Sequence, residues 1–235
     1  MSVEKLKKAI ELWGPIMAGG YGQTEAPASI ANLPPSHHFI NGQLGSDERL
    51  SSVGRPNPLI RVEMMDDNNQ ILPRGETGEI CVRGDLVMKG YYKQPEKTAE
   101  TIIDGWLHTG DVGNIDADGY LHITDRKKDM IISGGFNVYP SEVEQVIWGH
   151  PAVQDCAVIG VPDEKWGEAV KAVVELNAGQ TVSAEEIIAL CKEKLGSVMA
   201  PKTVDFIDTL PRSPVGKVLK KDLRKQYWEQ SERKI

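Results

Sequence analysis

Cysteine, aromatic residues and long apolar runs are all scarce in this sequence, and each shortage closes off a class of protein. The three cysteines, Cys81, Cys156 and Cys191, are odd in number, widely spaced and set among apolar neighbours. That pattern argues against a disulfide framework or a cysteine-based metal site, and predicts reduced thiols in a cytoplasmic protein. No apolar run approaches the roughly 20 residues a membrane-spanning helix needs, and the N-terminus carries no signal-peptide pattern. Basic charge is also short: 27 Lys and Arg against 34 Asp and Glu give a formal charge of −7 and a pI near 5.3. A general nucleic-acid or membrane-surface binder is excluded on that balance, so any anionic ligand must be met by local basic groups. What remains, at 40% apolar and 26% charged, is ordinary soluble composition, and 235 residues suffice for one large or two smaller domains. No internal repeat or low-complexity tract interrupts the chain.

Thr124 to Asn137 organises the rest. Five charged residues in a row, Asp125 to Asp129, run into Met130-Ile131-Ile132 and then a Gly134-Gly135 turn. The charges predict an exposed hinge because they are costly to bury together, whereas the three apolar residues after them must pack. Before the hinge, residues 1–14 predict an amphipathic helix capped by Ser2, with Val3, Leu6, Ile10 and Trp13 on one face and Gly14 ending it. Ile16 to Ala18 reads as a short buried strand feeding a glycine-rich turn, Gly19 to Glu25. Residues 26–52 read as a long surface loop, including His37-His38, whose adjacency argues against a metal pair. Short strands follow at 60–65, 79–82, 112–115 and 120–123, with Asp116 to Gly119 as a hairpin turn rather than a calcium loop.

After the hinge the pattern alternates between helix and strand. Ser141 with Glu144, and Ser183 with Glu186, predict two capping boxes, the second helix ending at Gly196. Strands are expected at 156–161, 169–174 and 204–207. Leu210 to Lys217, with two prolines and a glycine, predicts a rigid turn presenting Lys217 before a basic helix from 219 to 227. Taken singly, each candidate has an ordinary alternative. The Gly19–Glu25 stretch fits a tight turn as well as a nucleotide loop. Asp111 fits a turn cap as well as a carboxylate accepting two ribose hydroxyls. Lys217 fits a solvated lysine in a basic tail.

The order of these pieces is more specific than any one of them. Tyr21-Gly-Gln-Thr-Glu25, Gly78-Glu-Ile-Cys-Val-Arg-Gly84, Gly105-Trp-Leu-His-Thr-Gly-Asp111, Asp125-Arg126 with Ser133-Gly134-Gly135, and Pro211 to Lys217 follow one another. The series resembles the adenylate-forming, AMP-binding acyl-CoA synthetase superfamily over essentially the whole chain. The resemblance implies an α+β fold: residues 1–125 as the β-rich C-terminal part of the large domain, and 126–235 as a small mobile lid, with the hinge at 125–128. It implies an AMP-forming ligase that uses ATP, Mg²⁺ and CoA to turn a carboxylic acid into an acyl-adenylate and then a thioester. On matching positions, Gly19, Gly20, Tyr21, Gly22, Thr24, Asp111, Ile123 and Arg126 would bind the nucleotide, and Glu25 would hold Mg²⁺. Lys217 would be catalytic in adenylation, Asp125 and Lys128 would form the hinge, and Ser133, Gly134 and Gly135 would line the pantetheine tunnel. Glycine at 19 and 20 leaves room beside the adenylate, favouring a medium- or long-chain fatty or aryl acid over acetate.

Two departures from the family's pattern stand out. No Ser/Thr/Gly-rich phosphate loop precedes Tyr21, so the chain is expected to be a C-terminal portion, inactive alone, whose opening apolar face promotes self-association. Met199-Ala200-Pro201-Lys202 lacks the basic pair that several relatives carry, which leaves the contacts to the CoA nucleotide open. The competing expectations are a non-catalytic CoA- or nucleotide-binding or interaction module, and a carrier-protein-dependent adenylation domain.

Overall fold

The computed structural model describes residues 3–214 and 216–229. Ser2, the expected first cap, and Val215 in the Pro211–Lys217 motif lie outside the described residues. The chain has mixed α+β architecture with several sheets, and divides into two compact units, residues 1–127 and 128–235.

In the first unit, α1 (Val3–Trp13) ends at Gly14, whose N–H donates to Ile10 O at a left-handed φ of 77°. The face expected to be bare is partly covered. Leu6 and Ala9 are buried, while Leu12 and Trp13 are exposed. Lys7 pairs with Asp47 at 2.7 Å. Self-association through the face of Val3, Leu6, Ile10 and Trp13 is not supported. The expected strand at 16–18 is displaced: a Gly14-Pro15 turn holds Ile16 in solvent, and β1 runs instead from Gly19 to Gln23. It pairs antiparallel with β2 (Ala26–Leu33), so the glycines lie in a strand and only Thr24-Glu25 form the turn. The first part of the expected loop is thus a strand, because burial of Ala26, Ile30, Ala31 and Leu33 outweighs the Pro27, Ser29 and Asn32 that obscure its pattern.

Further along, α2 (Asp47–Ser51) is capped by Ser46 Oγ, which accepts from Arg49 N–H. β3 (Arg55–Pro56) joins β2. The chain reaches β3 through Gly54, at φ 93°, where a Cβ would sit 1.8 Å from Asn32 O, so only glycine fits. β4 (Arg61–Met65), β5 (Gly78–Arg83), β6 (Trp106–Ile115) and β7 (Leu121–Arg126) make an antiparallel sheet ordered β7-β6-β5-β4, and α3 (Pro95–Thr101) lies between β5 and β6 in sequence. Val53 and Gly54 exchange backbone hydrogen bonds with Leu121, tying the two sheets together over Ile30, Ile80, Val82, Leu107 and Leu121. Each such fully buried side chain contributes about 2 kcal/mol. Asp116 to Gly119 forms the expected hairpin turn. His38, read as part of a surface loop, is buried in a 3₁₀ turn.

In the second unit, β8 (Ile131–Ser133) and β9 (Phe136–Val138) form a hairpin. Strand alternation buries Ile131 and leaves Ile132 half exposed, against the expectation that both would pack. α4 (Pro140–Trp148) leads to β10 (Val153–Asp163), which pairs with β11 (Gly167–Leu176) over ten residues. α5 (Ala184–Met199) follows, and β12 (Thr203–Phe206) lies parallel to β11. α6 (Lys220–Trp228) closes the described chain. One face of the sheet, with Val158, Val170 and Val174, packs on Val143 and Ile147 of α4 and Ile187 of α5. The opposite face, with Ala157, Ile159 and Val173, packs on Leu210 and on Leu223 of α6. Helices on both sides explain why β10 and β11 read as continuous apolar runs.

The first expected capping box is not formed: α4 starts with Pro140 after Tyr139, and Glu144 turns inward to accept from Val158 N–H at 2.7 Å and pair with Lys220 at 2.8 Å. The second is partly realised, since Ser183 Oγ accepts from Glu186 N–H at 3.1 Å. As expected, the helical backbone breaks at Gly196, at φ 81° and ψ 170°, and a further short helical stretch runs on to Met199. Among the described residues no helix is long and apolar enough to cross a membrane.

Candidate functional site

The first unit gathers its polar side chains around Asp111. This residue follows Gly110, at φ 71°, in the middle of β6, and is buried. Tyr21 Oη donates to Asp111 Oδ2 at 2.6 Å, and Gln23 Nε2 to the same oxygen at 3.3 Å and to Thr109 O at 3.1 Å. Opposite in register on β7, Arg126 brings Nε to 3.2 Å from Oδ1. Burial and the bond to Asp111 push the Tyr21 hydroxyl well above its usual range, so it stays a donor at neutral pH. The Arg126 side chain is 58% exposed. An ion pair so open is worth about 1 kcal/mol or less, and the guanidinium can turn to an incoming anion at little cost.

Thr24 and Glu25 sit at the tip of the β1–β2 hairpin. Glu25 Oε1 accepts from Tyr91 Oη at 2.7 Å, and Glu25 O accepts from Met88 N–H at 2.8 Å. The carboxylate at the tip is thereby aimed by a side chain 66 residues away. The Lys97 ammonium lies over the Tyr91 ring, 4.3 Å from its centre. Of the remaining expected nucleotide residues, Gly19, Gly20 and Gly22 lie exposed along β1. Ile123 packs against the apolar core of this unit.

At the expected hinge, Asp125 Oδ1 accepts from Arg126 N–H. The charged run is not uniformly free in solvent: Lys127 is half-buried by partners, at 2.8 Å from Asp67 and 3.1 Å from Glu79. Lys128 is exposed, and its carbonyl accepts from Arg224 at 3.2 Å within the second unit.

In that unit Ser133 is buried, and Gly134 and Gly135, at φ 59° and 84°, make the two-residue turn between β8 and β9. Both left-handed angles are what a type I′ hairpin requires. A Cβ on Gly134 would lie 2.5 Å from the Trp166 ring. That ring is partly exposed, with Lys165 and Lys202 ammonium groups 4.8 and 5.8 Å from its centre.

Lys217 is exposed on a turn closed on itself. Ser213 donates its N–H to Lys217 O at 2.8 Å and accepts Lys217 N–H on Oγ at 3.1 Å. Arg212 donates to Gly216 O at 3.3 Å and is itself held by Asp155, with Glu175 3.7 Å away. Glu175 also accepts Leu210 N–H. Sequence reasoning missed Gln23, Tyr91, Arg212, Asp155 and Glu175. Gln23 and Arg212 lie inside motifs already singled out; Tyr91, Asp155 and Glu175 depend on partners distant in the chain and left no local signal.

Residues 1–92 match the family model described as AMP-binding enzyme, and residues 142–217 that of the AMP-binding enzyme C-terminal domain. A medium/long-chain-fatty-acid–CoA ligase of Mycobacterium tuberculosis is 47% identical over 98% of this chain and 40% of its own length. A feruloyl-CoA synthase of Amycolatopsis is 45% identical over 88% of this chain and 41% of its own. The amide bond synthetase of Marinactinospora thermotolerans superposes with a TM-score of 0.86 at 42% identity, covering 96% of this chain and 44% of that one. The chain thus spans about 40% of the length of the curated relatives it matches.

Proposed function

Because the chain belongs to the adenylate-forming, AMP-binding enzyme superfamily, we propose that it serves an ATP-dependent, AMP-forming carboxylic acid–CoA ligase. Its part would comprise the end of the large domain, residues 1–125, and the lid, 126–235, joined at 125–128. The observation that carries this reading is the convergence of Tyr21, Gln23 and Arg126 on the Asp111 carboxylate.

In the first half-reaction a substrate carboxylate attacks the α-phosphate of ATP and pyrophosphate leaves. Asp111 accepts hydrogen bonds from the ribose hydroxyls, and the Tyr21 ring lies against the base with Gly19, Gly20, Gly22 and Ile123 as neighbours. Thr24 contacts the phosphates. Arg126 leaves Asp111 to meet the ribose and phosphate. Lys217 neutralises the charge developing on the carboxylate and ribose oxygens. Glu25 is an oxygen donor at a partly exposed hairpin tip, held in place by Tyr91, and so suits Mg²⁺. Bound there, Mg²⁺ supplies charge neutralisation to the phosphates. In the second half-reaction the CoA thiol displaces AMP. A turn about Asp125 and Lys128 withdraws Lys217 and presents the Ser133–Gly135 turn to the pantetheine arm.

The test is acyl-CoA and AMP formation from ATP, CoA and a panel of carboxylic acids, in the protein that carries this chain. Medium- or long-chain fatty and aryl acids are expected as substrates. ADP and phosphate as the nucleotide products would refute the reading. A second acceptor is favoured by one observation: a 42%-identical structural relative is named an amide bond synthetase. Offering an amine beside CoA decides between them.

Tyr91→Phe is expected to raise the Mg²⁺ concentration for half-maximal rate about tenfold, since a hydrogen bond to a carboxylate is worth about 1.5 kcal/mol. The rate at saturating Mg²⁺ should be largely kept. A fallen kcat with unchanged Mg²⁺ dependence would remove Tyr91 from this positioning role.

A further inference from the structure

On the β5–β6 pair that carries Asp111, three side chains converge that the proposed reaction does not use. Glu79 and Cys81 stand two residues apart on β5 and share a face, and His108 on β6 is the register partner of Cys81. Their Oε, Sγ and Nδ1 atoms all lie within 4.8 Å of one another. His108 Nδ1 is 3.1 Å from Glu79 Oε2 and 3.5 Å from Cys81 Sγ. All three are largely buried: Glu79 is 8% exposed, Cys81 0%, and the His108 side chain 10%. Buried His108 Nε2 has no partner among the described residues. Glu79 Oε1 is committed to Gly110 N–H at 3.0 Å, and Oε2 is the oxygen that meets the His108 nitrogen.

We propose that Glu79, Cys81 and His108 form a binding site for Zn²⁺. Bond lengths of about 2.0 Å to nitrogen and oxygen and about 2.3 Å to sulfur place tetrahedral zinc ligands roughly 3.3–3.6 Å apart. The observed 3.1 and 3.5 Å are within a few tenths of an ångström of that range, and the Glu79 oxygen and Cys81 sulfur, within 4.8 Å of each other, draw together on the ion. One nitrogen, one sulfur and one oxygen donor select a borderline-soft ion over Mg²⁺ or Ca²⁺. Three protein ligands leave the fourth position for solvent.

Zinc takes Cys81 as the thiolate. Burial, with the Glu79 charge beside it, pushes the Cys81 thiol up to about 12, so binding must expel its proton. The Lys127 ammonium, 3.1 Å from Glu79 Oε2, repels an arriving cation and must retreat onto Asp67. Because Glu79 also holds Gly110, an ion on Oε2 loads the carboxylate that fixes the backbone next to Asp111.

The test is titration of the whole chain with Co²⁺ as a spectroscopic stand-in, followed by competition with Zn²⁺. The wild-type protein should show a thiolate-to-cobalt charge-transfer band and the visible bands of a tetrahedral ion, both erased by Zn²⁺. C81S should abolish the charge-transfer band. K127M, at a partly exposed position that leaves the ligands intact, should tighten Zn²⁺ binding about tenfold. Absence of the band in the wild-type protein overturns the proposal. So does a band that survives C81S, or a Zn²⁺ affinity unmoved by K127M.

Discussion

Lys217→Ala is expected to slow acyl-adenylate formation about a thousandfold while leaving thioester formation from supplied acyl-adenylate within a few-fold of normal. An ammonium about 4 Å from a developing anion is worth roughly 4 kcal/mol at an effective dielectric near 20. No neighbour can replace it from the same turn: Ser213 is engaged with the Lys217 backbone, and Arg212 is held by Asp155. The turn is closed by backbone bonds and by Arg212 rather than by the Lys217 side chain, so truncation should remove the charge without reshaping the loop. The two half-reactions are measured separately, by pyrophosphate exchange and by CoA capture of a synthetic adenylate. Equal losses in both would mean that Lys217 shapes the lid rather than serving one step.

Glu144→Ala should cost the second unit about 3–5 kcal/mol. Its carboxylate is buried, accepts from Val158 N–H in β10, and pairs with Lys220 at the start of α6. Truncation leaves a buried N–H without its acceptor and a largely buried ammonium without its counter-charge, and removing one partner of such a pair typically costs this much. Glu144→Gln keeps an acceptor for Val158 and should cost less. Combining Glu144→Ala with Lys220→Met should recover part of the loss, because the stranded charge goes as well. Denaturant unfolding followed by a probe in the second unit gives the values. A loss below about 1 kcal/mol for Glu144→Ala would show that neither contact is strong.

Local chemistry was legible where a few neighbouring residues settle the outcome. Asp116 to Gly119 makes its hairpin, and Gly134-Gly135 supplies the two left-handed angles its turn demands. Ser183 caps α5, because the groups that satisfy one another are three residues apart. Gly14 stops α1 for a similar reason. The same local rules misled where a distant partner offered more. Glu144 fits a capping box by spacing, yet a buried N–H and a lysine from α6 draw it inward. Ala26 to Leu33 looks like a loop by composition, yet the core takes Ile30 and Leu33 as a strand.

The sequence by itself determined the order of the motifs, and through that order the enzyme superfamily. It also determined the turns, because glycine, proline and capping side chains act within a few residues of themselves. Only the tertiary structure decided which polar groups distant in the chain meet. Tyr21 meets Asp111 across 90 residues, Tyr91 aims Glu25 across 66, and Lys127 returns to Glu79 across 48. Such pairs are set by sheet register, and register is decided by which apolar faces the whole unit can bury at once.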